Sequence, residues 1–226
     1  MVGHANPRVA EAVARQMATL PTTNILHQSD TLIAYCTRLA GLTPEGLTKI
    51  AVLAGGGEAI EAAVKLAMRV TGRTEVLSLH GAYHGMSLAT MGLAGIAGDR
   101  SWLPGAVRWP TFRQVPNADT YRNPPRRRGL GGVRPGAGKR PGRRLRAGRR
   151  VRHGDRPGAG RARAVPARAI TRRSSGPAHE RNVLLIVDEI QTGLARCGAT
   201  WACDLFGVRP DILVVNRRWA AACRSG

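Results

Sequence analysis

Apolar positions along the chain fall into short periodic blocks separated by glycine, proline and polar turns. Val9, Val13, Met17 and Leu20 recur at helical spacing, and Pro21 ends the helix they predict. Thr31 to Leu42 reads as a second helix with Leu32, Tyr35, Cys36 and Leu39 on one face and Ser29 or Asp30 as its cap. In a third, Ile60, Ala63, Val64, Ala67 and Met68 fall at i, i+3, i+4, i+7 and i+8. Glu58 and Glu61 are read into the first turn of this helix, where the positive end of the dipole favours acids. Lys65 and Arg69 lie toward its end, and Gly72 is placed to terminate it. Apolar runs of strand length occupy Thr48 to Leu53, Val76 to Leu79, Val183 to Val187 and Asp211 to Val215. Strand, turn and helix in alternation predict an α/β fold with a mostly parallel sheet. Ligands of such sheets sit in the crevice at the carboxyl ends of the strands.

Charge changes this picture in one place. The 226-residue chain carries a formal charge of +21, but 17 Arg and one Lys against one acid fall between Arg126 and Arg173. Outside that segment the balance is only mildly basic. The segment has no aromatic residue and no lasting helical or strand period, which is the composition of a disordered basic stretch. As an interaction surface it predicts salt-dependent, non-specific binding to nucleic acid through phosphates. That partner is the less favoured reading, because no aromatics interleave the charges and no nucleic-acid-reading motif occurs elsewhere. Cys36, Cys197, Cys203 and Cys223 form no CxxC pair, so reduced thiols are expected. No signal-peptide pattern opens the sequence and no run approaches the roughly 18 apolar residues of a membrane span, so a cytoplasmic location is expected.

Candidate chemistry gathers at three of the predicted strand ends. Gly55, Gly56 and Gly57 run straight into the third helix, leaving backbone N–H groups unobstructed by side chains. Such a turn suits a phosphate, and it is also an ordinary way to enter a helix. After Val76 to Leu79 comes the polar-aromatic loop Gly81-Ala82-Tyr83-His84-Gly85, and after Val183 to Val187 come Asp188, Glu189 and Gln191. An acid at the end of a buried strand is costly without a partner, which favours a functional role.

Taken in order, these segments resemble the class III aminotransferases, pyridoxal-phosphate enzymes of fold type I. The resemblance rests on GGGEAIEAAVKLAMRVTGR, GAYHG, LLIVDEIQTG, Trp201 and FGVRPDIL, and covers about Gly3 to Tyr121 and Asn182 to Val215. It implies the large cofactor-binding domain of that fold, incomplete here: residues 1–122 are its first part and 182–215 a returning part, separated by an aberrant segment, 123–181, and followed by an aberrant tail, 216–226. It also implies pyridoxal 5'-phosphate as cofactor, bound by Gly56, Gly57, Tyr83, His84, Asp188 and Gln191. Asp188 would pair with the pyridine nitrogen, Gln191 would meet the phenolic oxygen and Tyr83 would stack on the ring. A small-molecule amino donor and a keto acid would be the substrates, amino-group transfer by a ping-pong scheme the reaction, and a homodimer the assembly. A dialkylglycine-decarboxylase-like reaction is the alternative within the same fold. No metal is implied.

The sequence departs from the family at the catalytic lysine. It should come after the strand at Asp211 to Val215, but Arg217 stands at its place. A guanidinium stays protonated and is no nucleophile, so no catalytic residue is intact and the chain as written is expected to be inactive. Arg, Gly, Ala and Pro make up 38 of the 48 residues between Arg126 and Arg173, and all four can be encoded by G and C alone. We read the segment as a displaced reading frame rather than a basic linker. A second slip before Arg217 is consistent with this. GC-rich codons for Arg217 onward, read from the third base, give Ala-Leu-Gly-Gly-Gly-Leu-Pro-Val-Gly, similar to the residues after the family's lysine.

Overall fold

A computed structural model describes residues 4–23, 27–94, 109–115 and 183–216. The Arg-rich stretch, Tyr121, Cys223 and Arg217 lie outside the described residues. Five helices and four strands are described: α1 (Pro7–Thr19), α2 (Asp30–Ala40), α3 (Gly56–Thr71), β1 (Val76–Leu79), α4 (Leu88–Leu93), β2 (Phe112–Val115), β3 (Ile186–Asp188), α5 (Ala202–Phe206) and β4 (Ile212–Val214).

The helices begin and end where local chemistry directs. Asn6 caps α1 through Arg8 N–H at 3.1 Å, with Pro7 in the first turn, where its missing N–H costs nothing. Ser29 caps α2 by accepting from Leu32 N–H. Gly72 closes α3 at φ 67°, a left-handed conformation that suits glycine, and donates to Met68 O. Glu58 reaches back to accept from Ala54 N–H at 2.8 Å. Glu61 is not a first-turn acid, however: it lies one turn further on and is engaged elsewhere.

The strands pair in parallel, β1 with β2 and β3 with β4, as the alternation of elements predicts. The inward face of α3 joins them. Ile60, Ala63 and Val64 are buried with Leu93 and Val214, and Val76, Phe112, Ile186 and Ile212 pack around them. Burying Ile60 and Val64 stabilises this junction by about 1.5–3 kcal/mol each. A second cluster joins Leu39 of α2 to Trp201, Cys203 and Val208.

Two strand expectations are corrected. Thr48 to Leu53 is extended but unpaired among the described residues, and Val52 is 53% exposed. An apolar run forms a strand only when a neighbour takes up its backbone groups, and none does so among the described residues. The run at Val183 to Val187 becomes strand only at Ile186, because the Leu185 N–H is taken by the Asp211 side chain at 2.7 Å. On α1 the apolar face is present but uncovered: Val13, Met17 and Leu20 are all exposed. Among the described residues no helix is long and apolar enough to cross a membrane.

Candidate functional site

The glycine turn enters α3 with extended backbone at Gly55 and no side-chain cap, so the first N–H groups of a 16-residue helix have no side-chain acceptor. A Cβ on Gly55 would meet nothing within 4 Å, so the turn is open at this residue. A Cβ on Gly56 would lie 3.1 Å from Ile190 Cδ1 and 3.5 Å from Asn216 Nδ2, which places the ends of both β3 and β4 beside the turn. Gly57 faces the polar-aromatic loop. Gly85, at φ 133°, approaches so closely that a Cβ there would lie 2.8 Å from Gly57 Cα and 2.9 Å from Thr90 Oγ1.

The same loop reaches the end of β3. His84 Nδ1 and Asp188 Oδ2 are 2.8 Å apart, across 104 residues of sequence. A carboxylate only accepts, so Nδ1 carries the hydrogen and donates. Asp188 Oδ1 accepts from Ile190 N–H at 3.1 Å. The two side chains are 22% and 15% exposed, sheltered but not fully buried.

Asp188 and Glu189 are used differently. Glu189 is 2% exposed, and its carboxylate accepts from Cys203 N–H at 2.7 Å and from the Thr192 hydroxyl. It holds the N-terminus of α5, where a negative charge is favourable. Beside it, burial first and then the Glu189 and Asp204 charges push the Cys203 thiol up to about 12. Trp201 donates to Leu42 O at 2.5 Å, and a Cβ on Gly193 would lie 2.9 Å from its ring.

Of the residues singled out in the sequence, Gly56, Gly57, His84 and Asp188 are thus linked by direct contacts or through Ile190 and Gly85. Tyr83 and Gln191 are half-buried beside them, and Gln191 makes no hydrogen bond among the described residues. Arg217 lies outside the described residues, one position beyond Asn216. Sequence reasoning missed Ser87 and Thr90, which bind the loop to α3, and it assigned Glu61 only to the dipole.

Fold and site together define the cofactor-binding half of a fold-type I transferase. The family description "Aminotransferase class-III" matches residues 1–129 and 164–221, and the chain belongs to this family. It is 32% identical over 222 residues to the acetylornithine aminotransferase of Mycobacterium tuberculosis, covering 96% of this chain and 49% of the relative. It is 31% identical over 233 residues to the diaminobutyrate–2-oxoglutarate aminotransferase of Rhizobium meliloti, covering 96% and 48%. A thermostable omega transaminase variant from Pseudomonas jessenii superposes with TM-score 0.74 at 20% identity over 96% of this chain and 51% of that one. That likeness supports the fold. The chain spans about half the length of the curated relatives it matches.

Class III aminotransferases use pyridoxal 5'-phosphate, and the residues present fit most of that group. The turn at Gly55 to Gly57, uncapped by any side chain and open at Gly55, suits its phosphate. The sheltered Asp188 carboxylate keeps lone pairs free beside its two hydrogen bonds and suits a protonated ring nitrogen. No lysine lies between Asp211 and Gly226 to serve as a covalent anchor in that stretch.

Proposed function

We propose that this chain is a class III aminotransferase segment that holds pyridoxal 5'-phosphate non-covalently and does not transfer amino groups as written. The observation that carries the reading is the convergence of the glycine turn with Ile190 and Asn216 on one side and with Gly85 on the other, while His84 ties the loop to Asp188. Gly56, Gly57 and Glu58 would present N–H groups to the phosphate. Asp188, oriented by His84, would hold the proton on the ring nitrogen, Tyr83 would cover the ring face and Gln191 would meet its phenolic oxygen. When bound, the cofactor supplies an electron sink for amino-group chemistry. The complete reaction, between an amino donor and a keto acid, also needs a base that becomes neutral and can shuttle a proton. Arg217 cannot serve.

The test is titration of the full chain with pyridoxal 5'-phosphate, then borohydride reduction and peptide mapping. Saturable binding without covalent label is expected. A label on any lysine, or turnover of an amino donor, overturns the inactivity. Absence of saturable binding overturns the reading altogether.

The composition of 123–181 and the Arg-Arg sequence after Asn216 support displaced reading frames at both places, which sequencing of the gene through codons 122–182 and 213–226 decides. An uninterrupted frame without GC-rich out-of-frame homology would refute it. The exposed apolar face of α1 supports a homodimer, which sedimentation velocity measures, and a monomer would refute it. A cytoplasmic location is part of the same reading and is tested by fractionating the producing cells, with recovery in a membrane or secreted fraction counting against it.

A further inference from the structure

Ser87 stands at the N-cap of α4, where a serine hydroxyl ordinarily accepts from the helix's own N–H groups, yet it makes no such bond. Its hydroxyl instead donates to Glu61 Oε1 at 2.5 Å, in the second turn of α3. Ser87 has one hydroxyl hydrogen, and a carboxylate can only accept, so that hydrogen is committed. Ser87 Oγ and Thr90 Oγ1 are 2.8 Å apart, so Thr90 must be the donor between them, or else donate to Ser87 O at 3.0 Å. With either acceptor Thr90 donates to Ser87 and Ser87 donates to Glu61, so fully buried Thr90 is linked through Ser87 to Glu61.

The path of this chain matters. Thr90 Oγ1 is also the atom against which Gly85 packs, and Ser87 Oγ lies 3.5 Å from where a Gly57 Cβ would be. Glu61, Ser87 and Thr90 thus fasten the loop bearing Tyr83 and His84 onto the second turn of α3, beside the place where loop and glycine turn touch. A helix cap has been given up for a bond between two elements.

We propose that Glu61, Ser87 and Thr90 are positioning residues that fix the register of the Tyr83–His84 loop against the Gly55–Gly57 turn, and so set the spacing between the ring-holding and phosphate-holding parts of the site. This rests on the cofactor reading above. It goes beyond that reading by assigning the spacing to three residues outside the set given above to the cofactor.

The experiment pairs two measurements on the full chain and its Ser87→Ala, Ser87→Thr, Glu61→Ala and Glu61→Gln variants. In the cofactor-free proteins, hydrogen–deuterium exchange over 81–87 and 55–58 should rise about tenfold in Ser87→Ala and Glu61→Ala. Exchange over 186–206 should stay at the wild-type rate. In titrations, the same two variants should lose about tenfold in affinity for pyridoxal 5'-phosphate, while Ser87→Thr and Glu61→Gln, which keep a donor and an acceptor, stay within about twofold. Unchanged exchange in the alanine variants, a uniform rise across the whole protein, or failure of Ser87→Thr to restore protection overturns the inference. Raised local exchange with undiminished affinity overturns its cofactor half. A wild-type chain that binds no cofactor overturns the functional reading, and the exchange data still judge the clamp.

Discussion

Two regions meet at the end of β3, and neighbouring acids face them. On one side Asp188 joins His84, the glycine turn and the loop that closes on it. On the other Glu189 joins Thr192, Trp201 and the start of α5. Successive residues of a strand point to opposite faces, so adjacent carboxylates are divided between crevice and core. Each region also contains a glycine that no other residue could replace without movement: Gly85 against Gly57 and Thr90, Gly193 against Glu189 O and Trp201. The difference lies in how the polar groups are satisfied. Around Glu189 they are matched internally and excluded from water. Around Asp188 the carboxylate remains partly open and the nearby helix N-terminus has no side-chain cap. One side is closed on itself, while the other keeps polar groups in reach of solvent.

The strongest way to break this comparison is on the complete side. Trp201 is 1% exposed and spans the second core cluster, so Trp201→Ala should cost about 3–5 kcal/mol, read as a lower urea midpoint. A loss below about 1 kcal/mol would show that this cluster is not packed as described. On the receptive side the expected effect moves from stability to binding. Asp188→Asn keeps the shape but removes the charge, and should weaken pyridoxal 5'-phosphate binding by about 10–100-fold. Its urea midpoint should shift far less than that of Trp201→Ala. Equal affinity in Asp188→Asn and wild type would remove Asp188 from the site.

The same division explains what could be read from the sequence. The buried face of α3 and its end at Gly72 come from spacing and backbone preference, both local properties. The turn, the loop and the Asp188 segment were each legible as candidates, but the His84–Asp188 pair joins residues 104 apart, and only the family resemblance placed them together. Thr48 to Leu53 reads as a strand because apolar content is local, whereas pairing needs a neighbour that composition does not specify. Glu61 reads as a dipole-favoured acid for the same reason: its partner Ser87 lies 26 residues away on another element. The family resemblance separated Asp188 from Glu189, but the partners of Glu189, Thr192 and Cys203, were not legible in the sequence.

The smallest expected effect sharpens the complete side further. Cys203 is 4% exposed, and its thiol is raised from 9.0 to about 12 by burial, then by Glu189 and Asp204. The folded chain therefore keeps this proton where the unfolded chain releases it. Its contribution to stability is fully present below pH 9.0 and is lost as pH rises from there toward about 12. Tyr35, whose phenol is raised by burial and by Cys36, shifts in the same direction. The informative quantity is therefore the difference between wild type and Cys203→Ala, in which the Tyr35 contribution cancels. Urea midpoints of the two proteins should converge as pH increases through this window, because only wild type loses the Cys203 contribution. Parallel profiles would mean that water reaches the thiol, and the contrast between a closed Glu189 side and an open Asp188 side would fail at the residue where it is most easily measured.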